Sequence, residues 1–241
     1  MNHKTKGIVL HTYKYGDSSI VVHIYTEQFG RQAYLIKGAF GKKANIKANL
    51  FQTLNLLELE VYRKPGNELQ KLKEAINFPV YSNIPFNPIK GTISLFIAEM
   101  LFRVLREEEA NARLYEFISN SFQLFDLETS NVADFHLIFL MQLTKFIGFY
   151  PLNNISEHDT IFDLMNGRFI SQIPMHGYYL QNIEANTFSS LIDKSYSTMA
   201  EMKYTKETRI NLLQNLIQYY KLHVSGMGNV KSLQVLKEVF S

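Results

Sequence analysis

The sequence predicts an α+β protein of two domains, a small five-stranded β-barrel followed by an α-helical domain. Two changes along the chain carry that prediction. Residues 1–80 alternate apolar and polar side chains with the period of two that strands show, whereas apolar positions after residue 80 recur at three and four. Charge changes at the same place. Residues 1–80 hold 12 basic and 6 acidic side chains against 13 and 16 in the remainder, so the formal net charge of +3 conceals a basic first part and an acidic second.

In the first domain, taken as residues 1–80, a strand over 6–15 reaches a turn at Gly16-Asp17, and 19–26 is β-branched and aromatic (Ile20, Val21, Val22, Ile24, Tyr25) until Phe29-Gly30 breaks it. A third strand covers 31–37. A fourth, long run covers 50–62 and closes on Lys64-Pro65-Gly66-Asn67, a strong turn signal, and a fifth covers 69–76. Five short strands in so few residues suit a closed barrel, because closure removes exposed edges, and the five-stranded OB-fold is the natural candidate.

The second domain, 81–241, opens with a helix start at Asn87-Pro88, a side-chain acceptor at the N-cap followed by proline at the first helical position. Ile89, Ile93, Ile97, Met100 and Val104 then recur at helical spacing, widened by Phe96, Leu101 and Leu105. Further helices are expected over 111–125 and over 132–147, the latter stopped by Gly148 and Pro151. Residues 152–180 hold Gly167, Pro174 and Gly177 without a sustained period and read as an irregular insertion; within it 162–169 reads as a hairpin turning at Asn166-Gly167. Helices resume near Asn186, over 206–224 with Gly226 as the C-terminal glycine, and over 233–240 with Ser232 as its cap.

Composition excludes several functions. Cysteine is absent, which removes disulfides, thiol catalysis and every cysteine-ligated zinc site. The seven histidines (3, 11, 23, 136, 158, 176, 223) are scattered outside ligand or triad spacing, and Gly41-Lys42-Lys43 lacks the Ser or Thr of a phosphate-binding loop. Asp159 and Asp163 lie four apart but lack further partners for a cation. No enzyme, cofactor or metal is expected. No apolar window reaches the length of a membrane span, and the first residues lack the apolar core of a signal peptide, so a cytoplasmic protein is the simplest expectation.

The chemistry concentrates in residues 28–57, which contain no Asp or Glu but hold Arg31, Lys37, Lys42, Lys43 and Lys47. Cations segregated on one rim can neutralise phosphates without reading bases, and each contact adds affinity through counterion release. A solvated, solubilising loop is the competing reading. Tyr34 and Phe40 lie in the same segment; either ring can stack on bases, Tyr34 equally well fills the barrel, and Phe40 equally well anchors the loop. His11, Tyr13, Lys14 and Tyr15 are candidates to extend the groove.

Four segments resemble the RecO family of bacterial recombination mediators in the same order: Gly7-Ile8-Val9-Leu10 with Tyr15-Gly16-Asp17-Ser18-Ser19 and Tyr25-Thr26; Ile36-Lys37-Gly38-Ala39 with the lysines after it; Phe146-Ile147-Gly148-Phe149-Tyr150-Pro151; and Tyr219-Tyr220-Lys221-Leu222-His223 with Lys231-Ser232-Leu233-Gln234-Val235-Leu236. The resemblance implies a non-enzymatic protein that binds single- and double-stranded DNA and anneals complementary strands. It also implies docking on the acidic tail of single-stranded-DNA-binding protein and, with RecR, help in loading RecA. An acidic tail ending in an apolar residue needs a hydrophobic slot framed by cations, and Arg103, Arg106, Arg113 and Lys145 are the candidates on the early helices. Glu107-Glu108-Glu109 follows at once, so pairing along or between helices competes for those arginines.

Two departures from the family stand out. Many members carry four zinc-ligating cysteines after the third segment; here Asn153, Asn154, His158, Asp159 and His176 stand in that region, and the insertion reads as a metal-free version held by packing. An arginine often follows the Gly-Ala pair of the basic loop, where this chain has Phe40. Two other readings remain for the barrel, an RNA-binding or ribosome-associated OB protein and a scaffold that binds an acidic protein.

Overall fold

The computed structural model describes residues 2–41, 44–106, 109–130 and 132–239, and contacts divide the chain into two compact units, Met1–Leu127 and Glu128–Ser241. In the first unit, strands β1 (Asn2–Tyr15), β2 (Ser19–Thr26), β3 (Gly30–Ile36), β4 (Leu56–Tyr62) and β5 (Leu69–Asn77) close into a barrel in the order β1-β2-β3-β5-β4. All pairings are antiparallel except β3 with β5, where Ala33, Tyr34 and Leu35 face Leu69, Gln70 and Lys71 in parallel. This is the five-stranded OB-fold expected from the strand pattern.

Alternation assigns one face of each strand to the interior. Val9, Ile20, Val22, Ile24, Tyr34, Ile36, Leu57, Leu59 and Val61 fill the barrel together with Phe51, each such burial stabilising the fold by about 1.5–3 kcal/mol relative to exposure. The expected fourth strand is shorter than 50–62. Ala48–Phe51 forms a 3-10 turn, and Leu54 takes a left-handed backbone (φ 62°), with its amide bonded to the Val9 carbonyl at 2.8 Å. Phe51 and Leu54 are buried, so the apolar run is real, but it plugs the barrel instead of lengthening a strand.

Helices α1 (Pro88–Val104) and α2 (Ala112–Leu127) complete the first unit. Asn87 caps α1 as its sequence predicts, its side chain accepting from the amides of Ile89 at 3.0 Å and Lys90 at 3.2 Å. Asn111 does the same for Leu114 of α2 at 3.0 Å. Ile93, Phe96, Ile97, Met100 and Leu101 are buried, whereas Ile89, at the edge of the stripe, is exposed. Asp126 clamps the segment leading into α1. Its carboxylate accepts the backbone amides of Ser82, Asn83 and Ile84, each at 2.8 Å, and the Ser82 hydroxyl at 2.9 Å. Buried Lys90 donates to the Asp126 carbonyl at 2.8 Å, 5.5 Å from the centroid of the Phe125 ring.

The second unit contains α3 (Phe135–Phe146), short strands β6 (Ile161–Asp163), β7 (Arg168–Ile170) and β8 (Tyr179–Leu180) in the order β7-β6-β8, and helices α4 (Asn182–Ile192), α5 (Lys206–His223) and α6 (Ser232–Val239). Ser232 is the first residue of α6, not its cap, and Phe240 lies outside the described residues. The expected hairpin forms with Phe162 opposite Phe169, but its turn is the four residues 164–167, with Gly167 at φ 64°. Asp163 organises that turn, accepting from the amides of Met165 (2.8 Å) and Asn166 (3.1 Å) and from the Asn166 side chain (2.6 Å).

Packing holds this insertion to the rest of its unit. Phe162 meets Phe169 and Phe188 at ring distances of 5.0 and 4.7 Å, and the Tyr219 hydroxyl donates to the Phe149 carbonyl at 2.7 Å. Asn154 pairs with both backbone groups of Phe169, accepting from its amide at 2.8 Å and donating to its carbonyl at 3.0 Å. A zinc ion does not fit here. The Asp163 carboxylate is spent on the turn, and among the described residues no group of three or more metal-ligating side chains converges.

Candidate nucleic-acid interface

The loop after β3 folds back tightly on the barrel. Gly38 turns the chain at φ 66°, the Gly41 amide returns to the Gly38 carbonyl at 3.1 Å, and buried Ala39 accepts the Ala48 amide at 3.1 Å. Lys37 and Lys47 are exposed on either side of this fold, and Phe40 is 58% exposed at its tip. Lys42 and Lys43 lie outside the described residues.

Beside the loop opens a cleft of about 730 Å³, lined by Lys37, Gly38, Gly41 and Ile46 of the loop and by Leu69, Lys71 and Lys73 of β5. Among the described residues no carboxylate lines it. Lys71 and Lys73 are exposed, and Lys73 also reaches Glu60 at 2.8 Å. A second cleft of about 410 Å³, reached by Lys4 and Lys6, collects Glu27, Glu58, Glu60 and Glu74. Four acidic side chains of the barrel therefore gather in the second cleft, from which Glu60 reaches Lys73, so that Lys37 and Lys71 are the cations that best suit the first cleft to phosphate.

Sequence reasoning missed Lys71 and Lys73. Their spacing of two was the available signal, although a bulge leaves Lys73 unpaired with β4 and it is exposure that places it outward beside Lys71. That β5 stands beside the loop follows from the parallel β3–β5 pairing, which no local pattern announces.

Other expected contacts are placed differently. Tyr34 is 1% exposed and belongs to the barrel core, so it offers no stacking face; burial raises its hydroxyl pKa and Arg63 only partly opposes this. Its position opposite inward-facing Val22 decides the matter. Arg31 does not line the cleft. Its guanidinium donates to the Phe102 carbonyl at 3.0 Å and stands 5.3 Å over the Phe102 ring. Phe102 packs in turn on His11 and His23 at ring distances of 4.9 and 5.0 Å. Burial, then Arg31 and His11, lower the His23 pKa to about 4, so its imidazole is neutral at pH 7. Tyr13 and Tyr15 are 43% and 53% exposed, and Lys14 is exposed between them.

Of the cations expected to frame a partner's tail, Arg103 pairs with Glu99 at 2.5 Å, one helical turn away; Glu107 and Glu108 of the following acidic run lie outside the described residues. Arg106 donates to the Arg103 carbonyl at 3.0 Å, and Arg113 is exposed at the start of α2. Lys145 belongs to the second unit and stands 4.4 Å from the Tyr150 ring centroid.

Comparison with known proteins agrees with this architecture. The family model described as recombination protein O N terminal matches residues 1–78, and that described as recombination protein O C terminal matches residues 85–234. The chain is 39% identical over 241 residues to a DNA repair protein RecO of Bacteroides fragilis and 37% identical over 241 residues to that of Phocaeicola vulgatus. It is 37% identical over 243 residues to that of Flavobacterium psychrophilum. Each alignment covers 100% of both chains.

Proposed function

Because the chain belongs to the RecO family of DNA repair proteins, we propose that it is a recombination mediator that binds single- and double-stranded DNA and anneals complementary strands. With RecR and single-stranded-DNA-binding protein it would help to load RecA. The observation that carries the DNA-binding part is the lysine cleft, which Lys37, Lys71 and Lys73 line without a carboxylate among the described residues, although Lys73 is also paired with Glu60. DNA binding is assigned to the barrel, residues 1–80, with Lys47 and Phe40 of the loop and, on the sequence alone, Lys42 and Lys43. Docking of the acidic partner tail is assigned to the helical part, residues 81–241, with Arg103, Arg106 and Arg113 as the candidate cations of the first unit and Lys145 that of the second; at Arg103 the tail would compete with Glu99.

The mechanism is one of positioning. Strands held through their phosphates are brought to a high local concentration, and capture of the tail displaces the protein that covers them. No bond is made or broken, so the protein acts as a mediator and not as an enzyme. Among the described residues no helix is long and apolar enough to cross a membrane, and a cytoplasmic site of action fits the role.

Fluorescence anisotropy of the full chain with labelled single-stranded DNA, RNA of equal length and an acidic tail peptide tests the proposal. Salt-sensitive DNA binding together with separate peptide binding is the expected outcome. Peptide binding without DNA binding makes the protein a scaffold, and clear preference for RNA makes it an RNA-binding protein.

A further inference from the structure

The barrel register brings two exposed tyrosines and the lysines of the cleft onto one outward face. Tyr13 of β1 faces Val21 of β2, Val21 faces Leu35 of β3, and Leu35 faces Lys71 of β5. One outward step nearer the rim, Tyr15 faces Ser19, Lys37 stands just beyond Ile36, and Lys73 stands two past Lys71. Inward-facing Val22 and Ile36 fix the parity of Tyr13, Lys37 and Lys71, and Lys73, which a bulge against β4 leaves unpaired with that strand, is placed on the outer surface by its exposure. Val21 is buried, but the rim row of Tyr15, Ser19, Lys37 and Lys73 is accessible. Three strand steps separate the tyrosines from the β5 lysines, about 14 Å.

The aromatic end of this face is built rather than incidental. The rings of His11, Tyr13 and His23 lie 6.0 to 6.5 Å apart with interplanar angles between 29° and 36°. Phe102 supports both histidines from behind, and Arg31 is fixed over Phe102. Flat rings at one end and exposed lysines at the other match the two surfaces of an unpaired strand, its base faces and its phosphates. A duplex presents phosphates but keeps its bases stacked inside, so only its backbone can use this face.

We propose that the outward rim of the barrel is a single-strand track, on which unpaired bases stack on Tyr13 and Tyr15 while the phosphates run over Lys37, Lys71 and Lys73. This rests on the DNA-binding reading above and adds to it the ligand form and the residues that select it. The lysines set affinity for any strand, and the tyrosines set the preference for unpaired over paired DNA.

The test compares the full wild-type chain with Tyr13→Ala/Tyr15→Ala and Tyr13→Phe/Tyr15→Phe, using a single strand, a duplex and an abasic single strand of equal charge. Loss of ring stacking weakens single-strand binding at least about tenfold. Duplex binding and the salt dependence stay at wild-type values, and the phenylalanine pair restores single-strand binding. Wild-type protein binds the abasic strand more weakly than the normal one, a comparison that needs no variant. The proposal is overturned if the alanine pair binds single strands as wild type does, if it loses single strands and duplex alike, or if the abasic strand is bound equally well. Salt-dependent DNA binding by wild type with any of these results sinks the stacking track alone; absence of DNA binding by wild type sinks the DNA-binding reading and the track with it.

Discussion

At Gly7 the barrel leaves no room for a side chain: a Cβ there would lie 2.5 Å from Ile24 Cγ2 and 2.7 Å from Leu59 Cδ1. Gly7→Ala forces β1 away from its neighbours, and we expect a loss of about 1–3 kcal/mol, read as a lower urea midpoint with an unchanged slope. The opening Gly-Ile-Val-Leu run thus owes its glycine to packing, since no positive φ is required there. Other residues show where sequence reasoning reaches its limit. Lys37 and Lys47 were legible because a run of cations without carboxylates is visible in one dimension. Tyr34 was not, because alternation says only that neighbours face opposite ways, and the barrel decides which way is in.

Among the elements, the segment between the barrel and α1 depends on a single carboxylate. Asp126→Ala removes the acceptor of three backbone amides, of which that of buried Ile84 is the costliest to leave unpaired. A loss of about 2–4 kcal/mol is expected in denaturant unfolding at pH 7. Burial raises the Asp126 pKa, but the bonds from Ile84, Ser82 and Asn83 outweigh it and hold the carboxyl below its ordinary value. Its contribution is therefore complete above the unfolded carboxylate pKa of about 3.9 and fades as pH falls through the lower folded value. The gap between wild type and Asp126→Ala should narrow below about pH 4; a constant gap would show that the ionised form is not what the amides require. Helix starts were legible at Asn87 and Asn111, where capping is local chemistry. The fourth strand was overextended because a buried apolar run reads alike whether it lies in a sheet or plugs a barrel.

Over the whole molecule, the proposed function rests on where charge falls along the chain and on the barrel. The basic first part and acidic second part were visible in the sequence, and so was the change from strands to helices. Barrel closure through the parallel pairing of β3 with β5 was not, and it is this long-range contact that adds Lys71 and Lys73 to the lysine loop. The central claim is that these cations hold DNA through its phosphates. The most direct test is the affinity of the full chain for a labelled single strand across a salt series, wild type beside Lys37→Ala/Lys71→Ala. Wild-type affinity should fall steeply with salt, and removing two phosphate contacts should weaken binding to every sequence and reduce the log–log slope by about 1.4. A wild-type affinity insensitive to salt, or a double variant with the wild-type slope, would contradict the account.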